Sequence, residues 1–284
     1  MMRVQWIIPT MLISAPFAIH AQVQGPENPT QLVREVVYNE LHDHQRHGYW
    51  RYWIEKQAPQ QTKTVEQIET ADGPVTMLVS ADGRPLSVTD LREEEERLNH
   101  LLRSPSEQAR HRQDYADDEK RIGRILALLP EAFLYEEAGT QDGCYRLRFR
   151  PNPDYPPHSI EARIFHAMSG ELAIDARNKR LTRLDGHLQE NVDFGYGILG
   201  RLYKGGWFSL QRTQVSSTDW KTERLEIHMN GRALFLKTIS RETSELRGGF
   251  APVPSGLTLE QGMKLLVPAQ TTAMVRPASF SSAH

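Results

Sequence analysis

Trp220-Lys221-Thr222-Glu223-Arg224-Leu225-Glu226-Ile227-His228-Met229-Asn230-Gly231-Arg232-Ala233-Leu234-Phe235-Leu236-Lys237-Thr238-Ile239-Ser240-Arg241 carries apolar side chains at alternate positions on both sides of an Asn-Gly dipeptide. Alternation around Asn-Gly predicts an antiparallel hairpin, because both residues accept the positive φ of a type I′ turn. With a two-residue loop, Met229 pairs with Arg232, Ile227 with Leu234 and Leu225 with Leu236, which makes one apolar face. The opposite face then sets Glu226 against Phe235, Thr222 against Ile239 and Trp220 near Arg241. That mixed surface suits solvent or the wall of a partly polar groove.

Outward from this hairpin the chain reads as further strands with helical interruptions. Upstream, Phe133–Glu137, Tyr145–Arg150, Glu171–Ala176 and Arg180–His187 have strand composition, with a Pro-rich loop at 151–157 and a short helix over Ile160–Ala167. Further back, Tyr49-Trp50-Arg51-Tyr52-Trp53-Ile54 puts Trp50, Tyr52 and Ile54 on one side and Tyr49 and Trp53 on the other, a strand that needs cover on both faces. Residues 62–70 are polar on both faces and predict an exposed strand. Asp72-Gly73 precedes Val75–Ser80, and Pro74 argues for a loose loop over a tight hairpin turn. Before these strands, Val33, Val36, Val37 and Leu41 predict a packed helix over 29–42 with Thr30 as a possible cap. Between Thr89 and Leu129 the leucines fall at helical spacing and Ser104-Pro105-Ser106 interrupts them, which predicts a helical hairpin. Its acidic runs, Glu93 to Glu96 and Asp117 to Glu119, read as solvated helix faces or as a docking arm for a partner.

The chain of 284 residues is 39% hydrophobic and 25% charged, enough apolar material for a folded core. A net charge of -2 gives no overall field for nucleic acid or an anionic membrane. One cysteine, Cys144, forms no internal disulfide and supplies no multi-thiolate metal site. Residues 1–21 carry only Arg3 before a mostly apolar run, Val4 to Ala18, and end Ile19-His20-Ala21, the layout of a cleavable export signal. The run is too short to span a bilayer, so the mature chain is expected in the periplasm or outside the cell, with no transmembrane segment. The expected organisation is a signal peptide at 1–21, one curved-sheet domain over 22–255 with the helical hairpin 89–129, and a partly disordered tail at 256–284.

Motifs for phosphate loops, dinucleotide turns, zinc-protease helices and nucleophile elbows are absent. His42-Asp43-His44-Gln45-Arg46-His47 is the one metal-like cluster, and it reads as a charged helix end in preference to a metal site. Cys144 has no histidine near it in sequence, and Asp175, Asp185, Glu190 and Asp193 are carboxylates of ordinary strand ends. No enzyme and no cofactor are expected.

The large apolar side chains remain. They either close an ordinary core or line a hollow that binds an apolar ligand through burial worth ~25 cal/mol per Å². Gly195, Gly197, Gly200, Gly205 and Gly206 suit bent strands or loops at the mouth of such a hollow. The stretch Met168-Ser169-Gly170-Glu171-Leu172-Ala173-Ile174-Asp175-Ala176-Arg177-Asn178-Lys179-Arg180-Leu181-Thr182-Arg183-Leu184-Asp185-Gly186, with the aromatic strands that follow to about Leu246, resembles the outer-membrane lipoprotein-sorting proteins of the LolA/LolB-like group. The resemblance implies an α+β fold with a strongly curved antiparallel sheet, a half-open barrel, closed by helices over an apolar cavity. The function expected on that basis is non-enzymatic binding or carriage of a lipid, a lipoprotein acyl chain or another hydrophobic ligand. Trp50, Tyr52, Trp53, Leu172, Ile174, Trp207, Phe208 and Trp220 are the candidate cavity residues. The alternative is an envelope interaction or sensing protein, with the sheet as scaffold and the charged hairpin docking an envelope protein.

Overall fold

Leu32, Val33, Val36 and Val37 share one helical face, and the segment that holds them is a helix, α1 (Pro29–His42), with all four buried. The structure is a computed structural model that describes residues 28–42, 48–194, 200–233 and 237–266. After α1 come β1 (Tyr49–Ala58), β2 (Gln61–Ile68), β3 (Val75–Ala81) and the short β4 (Arg84–Pro85), then a helical hairpin of α2 (Val88–Arg103) and α3 (Pro105–Ala132). β5 (Phe133–Gln141), β6 (Cys144–Pro151), α4 (Ile160–His166), β7 (Met168–Asp175) and β8 (Leu181–Leu188) follow. The chain closes with β9 (Val192–Phe194), β10 (Gly200–Leu202), β11 (Trp207–Gln214), β12 (Trp220–Ala233), β13 (Lys237–Val253) and α5 (Leu259–Leu266). The expected signal segment, the cluster from Asp43 to His47, Gly195 with Gly197, and the final stretch from 267 lie outside the described residues.

Antiparallel pairing orders the strands β4-β3-β2-β1-β13-β12-β11-β8-β7-β6-β5, with β10 beside β12 and β9 beside β10. The class is α+β, as expected, but the sheet is neither closed nor strongly curled, so the half-open barrel is corrected to an open sheet. The reason is visible in the register. Directly paired residues share a face, and the two ends of this sheet bury opposite faces. Over β5–β8 and β11 the buried face carries Leu147, Phe149, Leu172, Ile174 and Leu188, packed with α1, Ala132 at the end of α3 and Phe165 of α4. Over β2 and β3 the buried face carries Ile68, Val75 and Met77, packed against Leu98 of α2 and Met263 and Leu266 of α5. Following the pairings Ile68–Arg51–Ala251, Trp53–Gly248 and Leu246–Arg224–Gln211–Arg183 across the sheet shows that the second core lies on the side opposite the first. A sheet that buries different faces at its two ends has no common concave interior to wrap around a ligand.

The decisive hairpin exists with a different turn. Ala233 pairs with Lys237, so β12 runs on past Asn230-Gly231, and Met229, Ile227 and Leu225 face Arg241, Thr243 and Glu245 in place of the expected Arg232, Leu234 and Leu236, the last two of which lie outside the described residues. Glu226 accordingly faces Ser244. Asn230-Gly231 lies inside β12. There Gly231 serves close approach: a Cβ at this position would sit 2.5 Å from the carbonyl oxygen of Arg201 in β10.

One other expectation is corrected by packing. The strand at 62–70 is internal to the sheet, with Glu66 buried beside Arg51 and Ile68 fully covered. Within the segment from 256, Leu257, Leu259, Met263 and Leu266 complete the second core. The helical hairpin forms where Ser104-Pro105 indicated. The Ser104 hydroxyl caps α3 by accepting from the Glu107 N–H, with Pro105 at the first helical position.

Candidate functional site

Among the described residues the two cores leave a wide piece of sheet without a helix on it: the face of β5 to β12 opposite α1 and α4. Strand alternation dictates its chemistry, because the residues between buried Leu147 and Phe149, or between Leu172 and Ile174, must point the other way. One row in direct register is Glu136, Arg148, Glu171, Asp185, Ser209 and Glu226, crossing β5, β6, β7, β8, β11 and β12. The next row is Ser169, His187, Trp207, His228 and Glu242. The first row, with Ser169, His187 and Trp207 of the second, lines an open groove of about 820 Å³, which Phe149 and Phe208 also border.

Charge in the groove is paired. Glu171 accepts from Arg146 Nη2 at 2.6 Å and from Arg148 Nε at 3.2 Å. Hydrogen bonds and charge from Arg146 and Arg148 hold its carboxyl below the usual carboxylate range. Asp185 accepts from Arg183 Nε and from the Ser209 hydroxyl, both at 2.6 Å. Arg150 lies 3.5 Å from Glu136, and Arg224 lies 3.5 Å from Glu226. Trp207 lies nearly parallel to His228, with centroids 6.1 Å apart and planes inclined by 17°. His228 Nδ1 is 3.6 Å from Glu242.

A second concavity sits at the elbow of α2 and α3. Glu93, Glu96, Arg97, His100, Leu101 and Glu107 line about 630 Å³ of open space. The helix α3 runs for ~42 Å at 1.5 Å per residue, and its only buried residues are Pro130 and Ala132 near its end. Much of its first half is exposed, while Tyr115 and His111 lie against Gly73 and the Gln108 amide donates to the Leu101 and Leu102 carbonyls. Burial, and then the charges of Glu119 and Glu69, push the Tyr115 hydroxyl up to about 12. At the elbow, His100 Nδ1 is 3.0 Å from Glu107.

The eight candidate cavity residues are distributed over separate places. Leu172 and Ile174 are in the first core, against α1 and α4. Trp50 and Tyr52 form a third cluster with Ile54, Val65, Val215 and Phe250. Below it Glu69 accepts from Lys221 Nζ at 2.7 Å and 2.8 Å and from the Trp50 N–H at 3.2 Å. Trp53 lies across Gly248 and Gly249, where added Cβ atoms would meet its ring at 2.6 Å and 2.9 Å. Trp220 is buried, and its carbonyl accepts from Arg212. Trp207 and Phe208 alone border the open groove. Arg148, Glu171, Arg183 and His187 were not candidates from sequence. Their signal was the strict alternation in Arg146-Leu147-Arg148-Phe149-Arg150 and Arg183-Leu184-Asp185-Gly186-His187, whose charged half points into the groove.

Among the described residues no group of His, Cys, Asp or Glu is arranged to hold a metal ion. Cys144 is half-buried, 3.8 Å from the Thr182 hydroxyl. No helix among the described residues is long and apolar enough to cross a membrane. Compared with known proteins, the chain matches no family model, and no curated protein matches it.

Proposed function

We propose that this chain is a non-enzymatic interaction protein of the cell envelope, in which the sheet is the scaffold and the charged hairpin docks a partner protein. The observation that carries this reading is the elbow of α2 and α3, where Glu93, Glu96 and Glu107 outnumber Arg97 around an open hollow that Leu101 also lines. Arg97 is already engaged by Glu94 at 2.7 Å, so the hollow presents acidic groups and an apolar contact to the outside. A basic, amphipathic segment of the partner is the complement. An exported location belongs to the same reading and rests on the apolar run from Val4 to Ala18.

The test is a photo-reactive residue placed at position 100 in the living cell. The expected result is one dominant cross-linked protein. In purified form that protein should bind in a salt-sensitive manner, about tenfold more weakly after Glu93→Lys with Glu96→Lys. Binding that ignores this double change would retire the hairpin as the docking surface.

Carriage of a lipid, acyl chain or other hydrophobic ligand is the second reading. It is supported by the half-buried Trp207 on the sheet-face groove. Mass spectrometry of organic extracts from the purified protein tests it, since a carrier should release a stoichiometric lipid.

A further inference from the structure

We infer that the groove on the uncovered sheet face is a binding site for a neutral, hydroxyl-rich oligosaccharide, with Trp207 as its aromatic platform. This site is separate from the hairpin elbow and does not depend on the docking role given to it.

The ligand class follows from what the groove can and cannot offer. β6, β7, β8, β11 and β12 are interior strands, each paired on both sides. A ligand lying on this face meets side chains only, which removes strand addition by an extended peptide, a mode that needs a free edge. Three guanidiniums, of Arg148, Arg150 and Arg183, stand among four carboxylates, of Glu136, Glu171, Asp185 and Glu226, a formal balance of 3 - 4 = -1. Each of these charges has a partner in the sheet. Neither a polyanion nor a polycation finds an excess to neutralise. An acyl chain fits poorly as well, because covering the groove with hydrocarbon would strip water from the paired charges with nothing to replace it.

A hydroxyl both donates and accepts, and the groove sets acceptors beside donors along one row. Arg148 stands next to Glu171, Glu171 next to Asp185, and Asp185 next to the Ser209 hydroxyl, with Gln211 on the same face two residues further on. These planar, ion-paired groups are held in place before any ligand arrives, and hydrogen bonds to charged partners are the strong kind. Half-buried Trp207 lies beside that row. Its ring borders the groove and gives the C–H face of a sugar an apolar surface next to the hydroxyl-binding row. From β5 to β12 the row crosses five strand spacings, about 24 Å at ~4.8 Å each, so the groove takes a short oligomer along its length.

The experiment is titration of the full chain with chitopentaose, cellopentaose and maltopentaose, followed by tryptophan fluorescence and calorimetry. Saturable binding of at least one of them is expected, weakened about tenfold by Trp207→Ala and by Glu171→Gln, and retained by Trp207→Phe. Circular dichroism and a thermal melt establish that each variant is folded. Gln211→Ala serves as the third groove variant if Trp207→Ala does not fold, and Glu96→Lys at the hairpin should leave sugar binding unchanged. The inference is overturned if none of the three sugars binds the wild type at millimolar concentration. It is equally overturned if the groove variants bind as well as the wild type, or if phosphatidylglycerol vesicles in place of the sugars show the binding that Trp207→Ala removes.

Discussion

Glu40 joins two guanidiniums deep under α1. Its carboxylate takes Arg180 Nε and Nη2 at 3.1 Å each and Arg212 Nη1 at 2.6 Å, and the three side chains are only 8% to 13% exposed. Removing one member of a buried ionic group leaves charge in a low-dielectric site without its counter-charge. Glu40→Gln is therefore expected to cost about 3–5 kcal/mol, read as a lower urea midpoint at unchanged slope. The residue scale also separates two kinds of glycine. A Cβ at Gly170 would lie 1.9 Å from the Asp185 carbonyl oxygen and 2.8 Å from Phe149, so Gly170→Ala must push β7 from β8 and is expected to cost about 3 kcal/mol. Gly205, at φ +85° with open space around it, is a conformational glycine, and Gly205→Ala should cost about 1 kcal/mol. Thermal melts of the pair check the ordering. Alternation made the charged rows legible in sequence, but the tight spot at Gly170 was not, because it depends on which strand lies beside it.

At the scale of elements, α2 is clamped to β3 by two side chains. The Leu78 N–H donates to Glu94 Oε1 at 2.8 Å, and Arg97 reaches both Glu94 and the Thr76 carbonyl at 2.7 Å. Burial alone would raise the Glu94 carboxyl, but hydrogen bonds from Arg97 and the Leu78 N–H outweigh it and hold the group below its usual value. A depressed folded value means that the ionised clamp stabilises the fold above the unfolded carboxylate range, near pH 4.3. That stabilisation is lost as the pH falls through the folded value. Glu94→Gln should therefore cost about 1 kcal/mol at neutral pH and leave a shallower acid limb in stability measured against pH. The helices themselves were legible. Leu91, Leu98, Leu101 and Leu102 lie at helical spacing and pack together in the second core, and Ser104-Pro105 breaks the run where α2 gives way to α3. The turn between β12 and β13 was misjudged because Asn-Gly is favourable in a tight turn and also wherever a backbone must come close. Only the position of β10 beside Gly231 decides between the two.

On the scale of the whole molecule, the hairpin is both a surface and a part of the core. Leu98 is fully buried between β2, β3 and α5, so deleting 88–132 would expose Ile68, Met77 and Met263 as well as remove the elbow. The deletion is expected to give aggregated protein, seen as loss of the monomer peak on size exclusion, whereas Glu93→Lys with Glu96→Lys should keep the native melting curve. Helix against strand, the alternation of charge with apolar residues and the place of the hairpin break were determined by the sequence, since each follows from spacing along one segment. The tertiary structure decided which face of the sheet each end buries, and with it the absence of a shared hollow and the presence of an open charged groove. Those outcomes depend on strands far apart in the chain lying side by side, as β1 does with β13, and no local pattern carries that pairing.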